Sequence, residues 1–170
     1  REKLFGIKKF GIWDEELIKD VGANAKMNEF QAAMGLCNLR HIERELDKRK
    51  KVVEHYNQRL SGVKGIRISG EQKDVKPNYA YYPVMIEPEV FGKSRDDIYE
   101  LLKVNEIYAR KYFYPLTSDQ ICFGDRYKDD KIDIARKLSK NVLVLPLYED
   151  LDIREAEKIV KLICTGIDMI

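Results

Sequence analysis

Between residues 28 and 60 the apolar positions recur at helical spacing twice, and the two stripes are out of phase. Met27, Phe30, Met34 and Cys37 follow one another at three- and four-residue steps, which puts them on one face of an α-helix. The step from Cys37 to Ile42 is five residues, after which Leu46, Val53, Tyr56 and Leu60 continue. One straight helix does not keep both stripes on one side, so the spacing predicts a kink or break over residues 38–41. Asn28 with Gln31 has the form of a capping box, in which each side chain satisfies the other's backbone N–H. The outer face of the second stripe, "ERELDKRKK", mixes both signs of charge and reads as solvated.

The remaining pattern adds short strands and helices. "SGVKG" ends the long helix and "IRIS" is a short strand. "YAYYPVMIEP" reads as a second strand. Its Pro83 argues for an edge position or a bulge, because proline cannot donate to a ladder. Ser94 caps a helix that turns Ile98, Leu101 and Leu102 inward, and "IYARKYFY" reads as a strand ended by Pro115. A polar loop follows over residues 116–130. Ile132, Ala135 and Leu138 mark a short helix, and "NVLVLPLY" a strand. Asp152 with Glu155 has the form of a second capping box, followed by the stripe Ile153, Ala156, Ile159 and Ile163. Residues 1–20 read as an extended or loosely structured lead-in whose apolar residues need another surface. The sum is an α+β fold: a small antiparallel sheet packed with helices, preceded by a long kinked helix. Residues 1–26 form the lead-in segment and a partner-facing loop; residues 27–170 form the body.

Composition narrows the function classes. The 31 basic residues are offset by 29 acidic ones, for a net charge of +2, which gives no reason to expect nucleic acid or a membrane surface as partner. No apolar run is long enough to span a bilayer. Cys37, Cys122 and Cys164 are far apart and form no C-x-x-C; Cys37 and Cys164 fall in apolar helical patterns and read as small core residues in a reducing cytoplasm. The two histidines, His41 and His55, make no metal set. Asp129, Asp130 and Asp133 suit a helix N-terminus better than a cation site. No nucleophile elbow, zincin motif or P-loop occurs, so no catalytic residue and no metal ligand is nominated.

Two groups of residues invite a ligand. Tyrosines in "NYAYYP" and "KYFYPLTS" either pair across strands or present a wall of rings and hydroxyls to a polar ligand such as a sugar. Gly22, Asn24 and Lys26 stand just before the capping box, which has no need of them. An amide and a cation beside a helix start suit an anion, with phosphate the natural guess.

"GANAKMNEFQAAMGLCNL" resembles the G-x-N-x-[KR]-M-x-[ED]-[FI]-Q-A-A-x-G-x-x-x-L segment of the DegT/DnrJ/StrS sugar-nucleotide aminotransferases, a group of fold-type I pyridoxal-phosphate (PLP) enzymes. "YNQRL", "IYARKYFYPL" and "SKNVLVLPLYEDLDIREAEKIVKLI" are similar to later segments of that family, so the likeness runs from about Gly11 to Ile163. It corresponds to the family's second half. The chain starts at Arg1 without an initiator Met and reads as cut from something longer, with the N-terminal PLP-binding large domain and its Schiff-base lysine upstream.

The resemblance implies a cytoplasmic parent enzyme that moves an amino group, from glutamate or another amino acid, to a nucleotide-linked keto-deoxy sugar for cell-surface polysaccharide, glycan or antibiotic biosynthesis. It implies a homodimer in which Asn24, and with it Lys26, reaches the PLP phosphate of the neighbouring subunit. It also implies that Tyr112, Tyr114 and Thr117 line the sugar side, while Arg110 either orients a diphosphate or pairs with a carboxylate. Many relatives carry histidine where Tyr112 and Thr117 stand here, a departure that is similar to the subgroup using 4-keto-6-deoxy sugars. The chain by itself is expected to be inactive and to hold no PLP tightly. The alternative is a non-catalytic dimerisation or interaction module that keeps the small-domain fold.

Overall fold

The break in the helical pattern is real. Helix α2 spans Glu29–Leu39 and α3 spans Ile42–Leu60. Between them Arg40 and His41 donate back to the carbonyls of Cys37 and Asn38 at 3.2 and 3.0 Å, a tightened last turn that resets the phase. The break stands near the boundary between two compact units, Arg1–Glu43 and Arg44–Ile170, whereas the sequence pattern suggested a division after residue 26. The structure is a computed structural model that describes residues 1–14, 17–70, 72–120, 125–127 and 131–165. Cys122, Asp129 and Asp130 lie outside the described residues.

The first unit is more ordered than the expected loose lead-in. Helix α1 (Glu2–Ile7) leads into an antiparallel hairpin of β1 (Ile12–Asp14) and β2 (Leu17–Ile18). Gly11 lets the chain turn back, at φ +82° and against the Asp20 backbone, where a side chain has no room. Helix α2 starts at the predicted box: Gln31 N donates to Asn28 Oδ1 at 2.8 Å and Asn28 N donates to Gln31 Oε1 at 3.0 Å. Yet α2 buries no residue. Cys37 is therefore exposed and not a core residue, because its stripe has nothing within the unit to pack on.

The second unit holds the main core. Its three-stranded sheet has the order β3–β4–β5, from Ile66–Ile68, Tyr82–Ile86 and Val142–Leu145. Both pairings are antiparallel. Tyr82, Val84 and Ile86 alternate inward with Leu143 and Leu145. They pack with Val52, Tyr56 and Leu60 of α3, Ile98 and Leu102 of α5 (Arg95–Val104), and Ala156, Ile159, Val160 and Ile163 of α7 (Ile153–Thr165). Helix α4 (Pro88–Phe91) adds Phe91, and α6 (Asp133–Asn141) leads into β5. Tyr56 donates to Pro146 O at 3.0 Å and Tyr82 to Asn57 Oδ1 at 2.8 Å. Burial pushes both phenols well above their ordinary range.

Two strand expectations change. Pro83 lies in the central strand and not at an edge. Val144 exchanges both backbone hydrogen bonds with Arg110, so its opposite residue on β4, Pro83, aims its nitrogen away from β5. On that other side β3 ends opposite Val84, and the missing N–H has no acceptor to disappoint. The segment "IYARKYFY" is not a strand. It touches the sheet at one bridge, Arg110 to Val144, and then turns, with Tyr114 N donating to Lys111 O at 2.9 Å. The predicted second box also differs: Asp152 caps α7 by accepting from Arg154 N at 2.7 Å, one residue short of Glu155.

Candidate functional site

Each unit presents one set of candidate residues. In the first, the chain from Gly22 to Ala25 lies against residues 7–10. Ala23 N donates to Ile7 O at 3.1 Å, Phe10 N to Ala23 O at 3.3 Å and Ala25 N to Lys8 O at 3.1 Å. Asn24 itself bridges Lys9. Gly22 permits this approach, since a Cβ there would run into Ile7 O and lie 2.5 Å from Gly11 N. The Asn24 backbone is thus fixed while its side chain stays exposed. Among the described residues its amide has no hydrogen-bond partner. The Lys26 ammonium stands 6.0 Å from the Phe10 ring centre, on the exposed side of the same loop.

In the second unit, Arg110, Tyr112, Tyr114 and Thr117 all line one open cleft of about 490 Å³, with Tyr99, Lys111 and Phe113 among its other walls. The turn after the Arg110–Val144 bridge gathers them. Arg110 donates to the Tyr112 hydroxyl and its guanidinium lies 5.4 Å from that ring. Tyr112 stacks on Phe113 at 5.0 Å and meets Tyr81 edge-on at 5.5 Å. Arg110 and Tyr112 also border a second hollow of about 400 Å³, where Tyr81, Tyr108 and Tyr148 bring further phenols. Tyr81, Tyr108, Tyr114 and Tyr148 are therefore exposed, Tyr112 is half-buried beside both hollows, and Tyr56 and Tyr82 go inward. Among the described residues Arg110 has no carboxylate partner, which leaves its charge open to an anionic ligand.

Sequence reasoning missed the backing of this cleft. Arg95 is only 2% exposed. Its Nη1 donates to the carbonyls of Ser139 and Val142, both at 3.1 Å. Its Nε donates to Asp96 at 2.8 Å. Asp96 also pairs with Lys111 at 2.6 Å, and the hydrogen bond from Lys111, aided by Arg95, holds its carboxyl below the usual range. A signal for Arg95 did exist: residues 95, 98 and 102 share one helical face, the face that α5 buries.

Other candidates are structural. His55 Nε2 lies 3.0 Å from Glu157 Oε2, and Arg59 forks onto the same carboxylate at 3.0 and 2.9 Å, joining α3 to α7. His41 is exposed. Among the described residues no group of three or more His, Cys, Asp or Glu is placed to hold a metal, and no helix is long and apolar enough to cross a membrane.

Residues 2–164 match the DegT/DnrJ/EryC1/StrS aminotransferase family. The chain belongs to that family. A dTDP-4-amino-4,6-dideoxy-D-glucose transaminase of Escherichia coli is 42% identical over 159 residues, covering 92% of this chain and 43% of the relative. A Shigella dysenteriae transaminase of the same description is 34% identical, covering 96% and 44%. Among solved structures, DesV of S. venezuelae, described in complex with a ketimine intermediate, superposes with a TM-score of 0.84 at 19% identity, over 99% of this chain and 44% of that one. A Brucella abortus aminotransferase of the family gives 0.80 at 20% identity, over 98% and 43%. The chain thus spans less than half the length of the curated relatives that it matches.

Members of the DegT/DnrJ/EryC1/StrS family are PLP-dependent aminotransferases. The donors of this chain fit one end of that cofactor: a fixed loop offers a free amide at Asn24 and a cation at Lys26, which suit a phosphate. They do not extend to its ring, for which the described residues gather no buried lysine and carboxylate pair.

Proposed function

We propose that this chain is the substrate-side part of a PLP-dependent aminotransferase acting on a nucleotide-linked 4-keto-6-deoxy sugar, with glutamate as amino donor. The observation that carries the reading is the single cleft shared by Arg110, Tyr112, Tyr114 and Thr117, in a chain 42% identical to a dTDP-amino-sugar transaminase. In this reading Arg110 attracts the diphosphate, whose charge it meets with no competing carboxylate among the described residues. The phenols of Tyr112 and Tyr114 and the hydroxyl of Thr117 hydrogen-bond the sugar, while the Phe113 ring covers an apolar face. Bound PLP supplies the electron sink for amino transfer.

Asn24 and Lys26 serve the phosphate of a cofactor held by a second copy of the protein. The exposure of Phe30 at 86%, Met34 at 63% and Leu39 at 67% along α2 supports a partner surface there, because contiguous apolar area of this kind rarely faces water. The reaction belongs to the cytoplasm, where nucleotide sugars are made. Among the described residues no buried lysine and carboxylate pair gathers for the PLP ring, and the chain is proposed to be inactive alone.

The test uses two proteins: this chain, and the protein at its natural full length. Each is mixed with PLP, glutamate and a thymidine-diphosphate-linked 4-keto-6-deoxyglucose, and amino-sugar product is followed by mass spectrometry. Product from the full-length protein and none from the chain is expected. Turnover by the chain alone would overturn the division of labour; no product from either would overturn the substrate class.

A further inference from the structure

Lys111 and Tyr114 line the cleft, yet both are held from outside it by two residues that do not line it. Asp96 takes the Lys111 ammonium at 2.6 Å, and the same ammonium stands 4.3 Å from the Tyr99 ring centre. Arg95 takes Asp96 on its Nε edge at 2.8 Å, ties its Nη1 to the end of α6 and the start of β5, and places its guanidinium 5.0 Å from the Tyr114 ring centre. The two neighbours therefore connect Lys111 and Tyr114 to the N-terminus of α5, Lys111 through Asp96 and Tyr114 through a guanidinium that has almost no contact with solvent.

The arrangement has an electrostatic consequence. A lysine and an arginine both line the cleft, but Lys111 is paired and Arg110, among the described residues, is not. An anion entering the cleft meets a cation already engaged by a carboxylate on one side and an open one on the other. We propose that Arg95 and Asp96 are positioning residues, Asp96 engaging the Lys111 ammonium and Arg95 fixing Asp96 and Tyr114, so that the anionic end of the ligand is directed to Arg110. The proposal rests on reading the cleft as the nucleotide-sugar site.

Asp96 is the residue to change, because its side chain is 59% exposed and asparagine keeps an oxygen to accept from the buried Arg95 Nε. Asp96→Asn is made in the protein at its natural full length, with Asp96→Glu as the conservative control. Two readouts are taken. The first is the rate at which Lys111 is acylated by an N-hydroxysuccinimide acetate, scored by peptide mass spectrometry against Lys103 as internal reference. The second is the affinity for thymidine diphosphate by calorimetry at low salt.

The asparagine variant frees Lys111, so its acylation speeds up and a second open cation joins Arg110. About two- to fivefold is expected in each readout, the range of a partly exposed ion pair, and the glutamate variant reverses both. The sign decides: a merely structural role for Asp96 would weaken nucleotide binding, whereas loss of its negative charge beside Lys111 tightens it. Unchanged acylation of Lys111, or weaker binding of thymidine diphosphate, overturns the positioning proposal. If the wild-type protein binds no thymidine diphosphate at all, the nucleotide reading of the cleft fails, and the acylation rate still decides whether Asp96 restrains Lys111.

Discussion

Asn24→Ala separates a residue that presents from a residue that builds. The Asn24 side chain is exposed and, among the described residues, makes no hydrogen bond. Its removal takes nothing from the fold beyond the ordinary cost of a surface change, within about 0.5 kcal/mol. For a chain of this size that is a shift of roughly 1–2 °C in Tm. Two residues earlier the opposite holds. A Cβ at Gly22 would strike the backbone of Ile7 and Gly11, and because backbone cannot step aside as a long side chain can, Gly22→Ala should cost about 1–3 kcal/mol. For the full-length protein the order reverses. A hydrogen bond to a charged phosphate contributes about 1.5–3 kcal/mol, so Asn24→Ala should weaken PLP retention by roughly ten- to a hundredfold. Circular dichroism melts of this chain give the first comparison. Loss of cofactor absorbance on dialysis of the full-length protein gives the second. If Asn24→Ala lowers Tm as far as Gly22→Ala does, or leaves PLP retention unchanged, the amide is not a free donor for phosphate and the reasoning fails.

Three further outcomes follow from the second unit. Tyr56→Phe removes the donor to Pro146 O and should lower stability by about 1 kcal/mol in urea unfolding, with the slope unchanged. Ile159→Ala empties a site only 4% exposed at the centre of α7 and should cost about 2–5 kcal/mol, read the same way. Asp97 closes the α5 box, accepting from the Ser94 hydroxyl and backbone N–H at 2.7 and 2.8 Å; these bonds hold its carboxyl below the usual carboxylate range. Because the folded value is depressed, the stability it contributes is present above about pH 4 and is lost as pH falls through the folded value. An acid series of melts should therefore be flatter for Asp97→Asn than for wild type in that range.

The sequence made the helices legible wherever the signal was local. Asn28 with Gln31 and Ser94 form the caps expected of them, since a cap needs only its own first turn. The phase shift after Cys37 located the break for the same reason. What went unread depended on partners distant in sequence. Pro83 looked like an edge marker until the register placed it just past the end of β3. The tyrosine-rich segment 107–114 resembled a strand, but it stays on the sheet only at Arg110. Arg95 falls on the buried helical face by spacing, yet its charge hid it, because its carbonyl acceptors on Ser139 and Val142 lie more than forty positions away. Of the proposed site residues, spacing alone suggested a phosphate for Asn24 and Lys26 and a ligand wall for the tyrosines. That Arg110, Tyr112, Tyr114 and Thr117 share one cleft follows from a turn the sequence did not announce.

Helices α2 and α3 carry the same kind of signal and meet opposite ends. Both have an apolar stripe and both begin where the pattern says. In α3, Val52, Tyr56 and Leu60 are at most 1% exposed, covered by the sheet and by α7. In α2 no residue is buried, although its box is complete. A capping box satisfies two backbone donors; it does not replace the tertiary contact that keeps an 11-residue helix formed, since helices of that length are marginal alone. The loop before it is different, for the hydrogen bonds from Ala23 and Ala25 to Ile7 and Lys8 are made within the unit. Presentation of Asn24 is thus settled locally, while the helix that follows depends on a surface supplied from elsewhere. That combination agrees with the proposed role of Asn24 at a second copy's cofactor: the donor is fixed within its own unit, and the apolar stripe of α2 is left exposed.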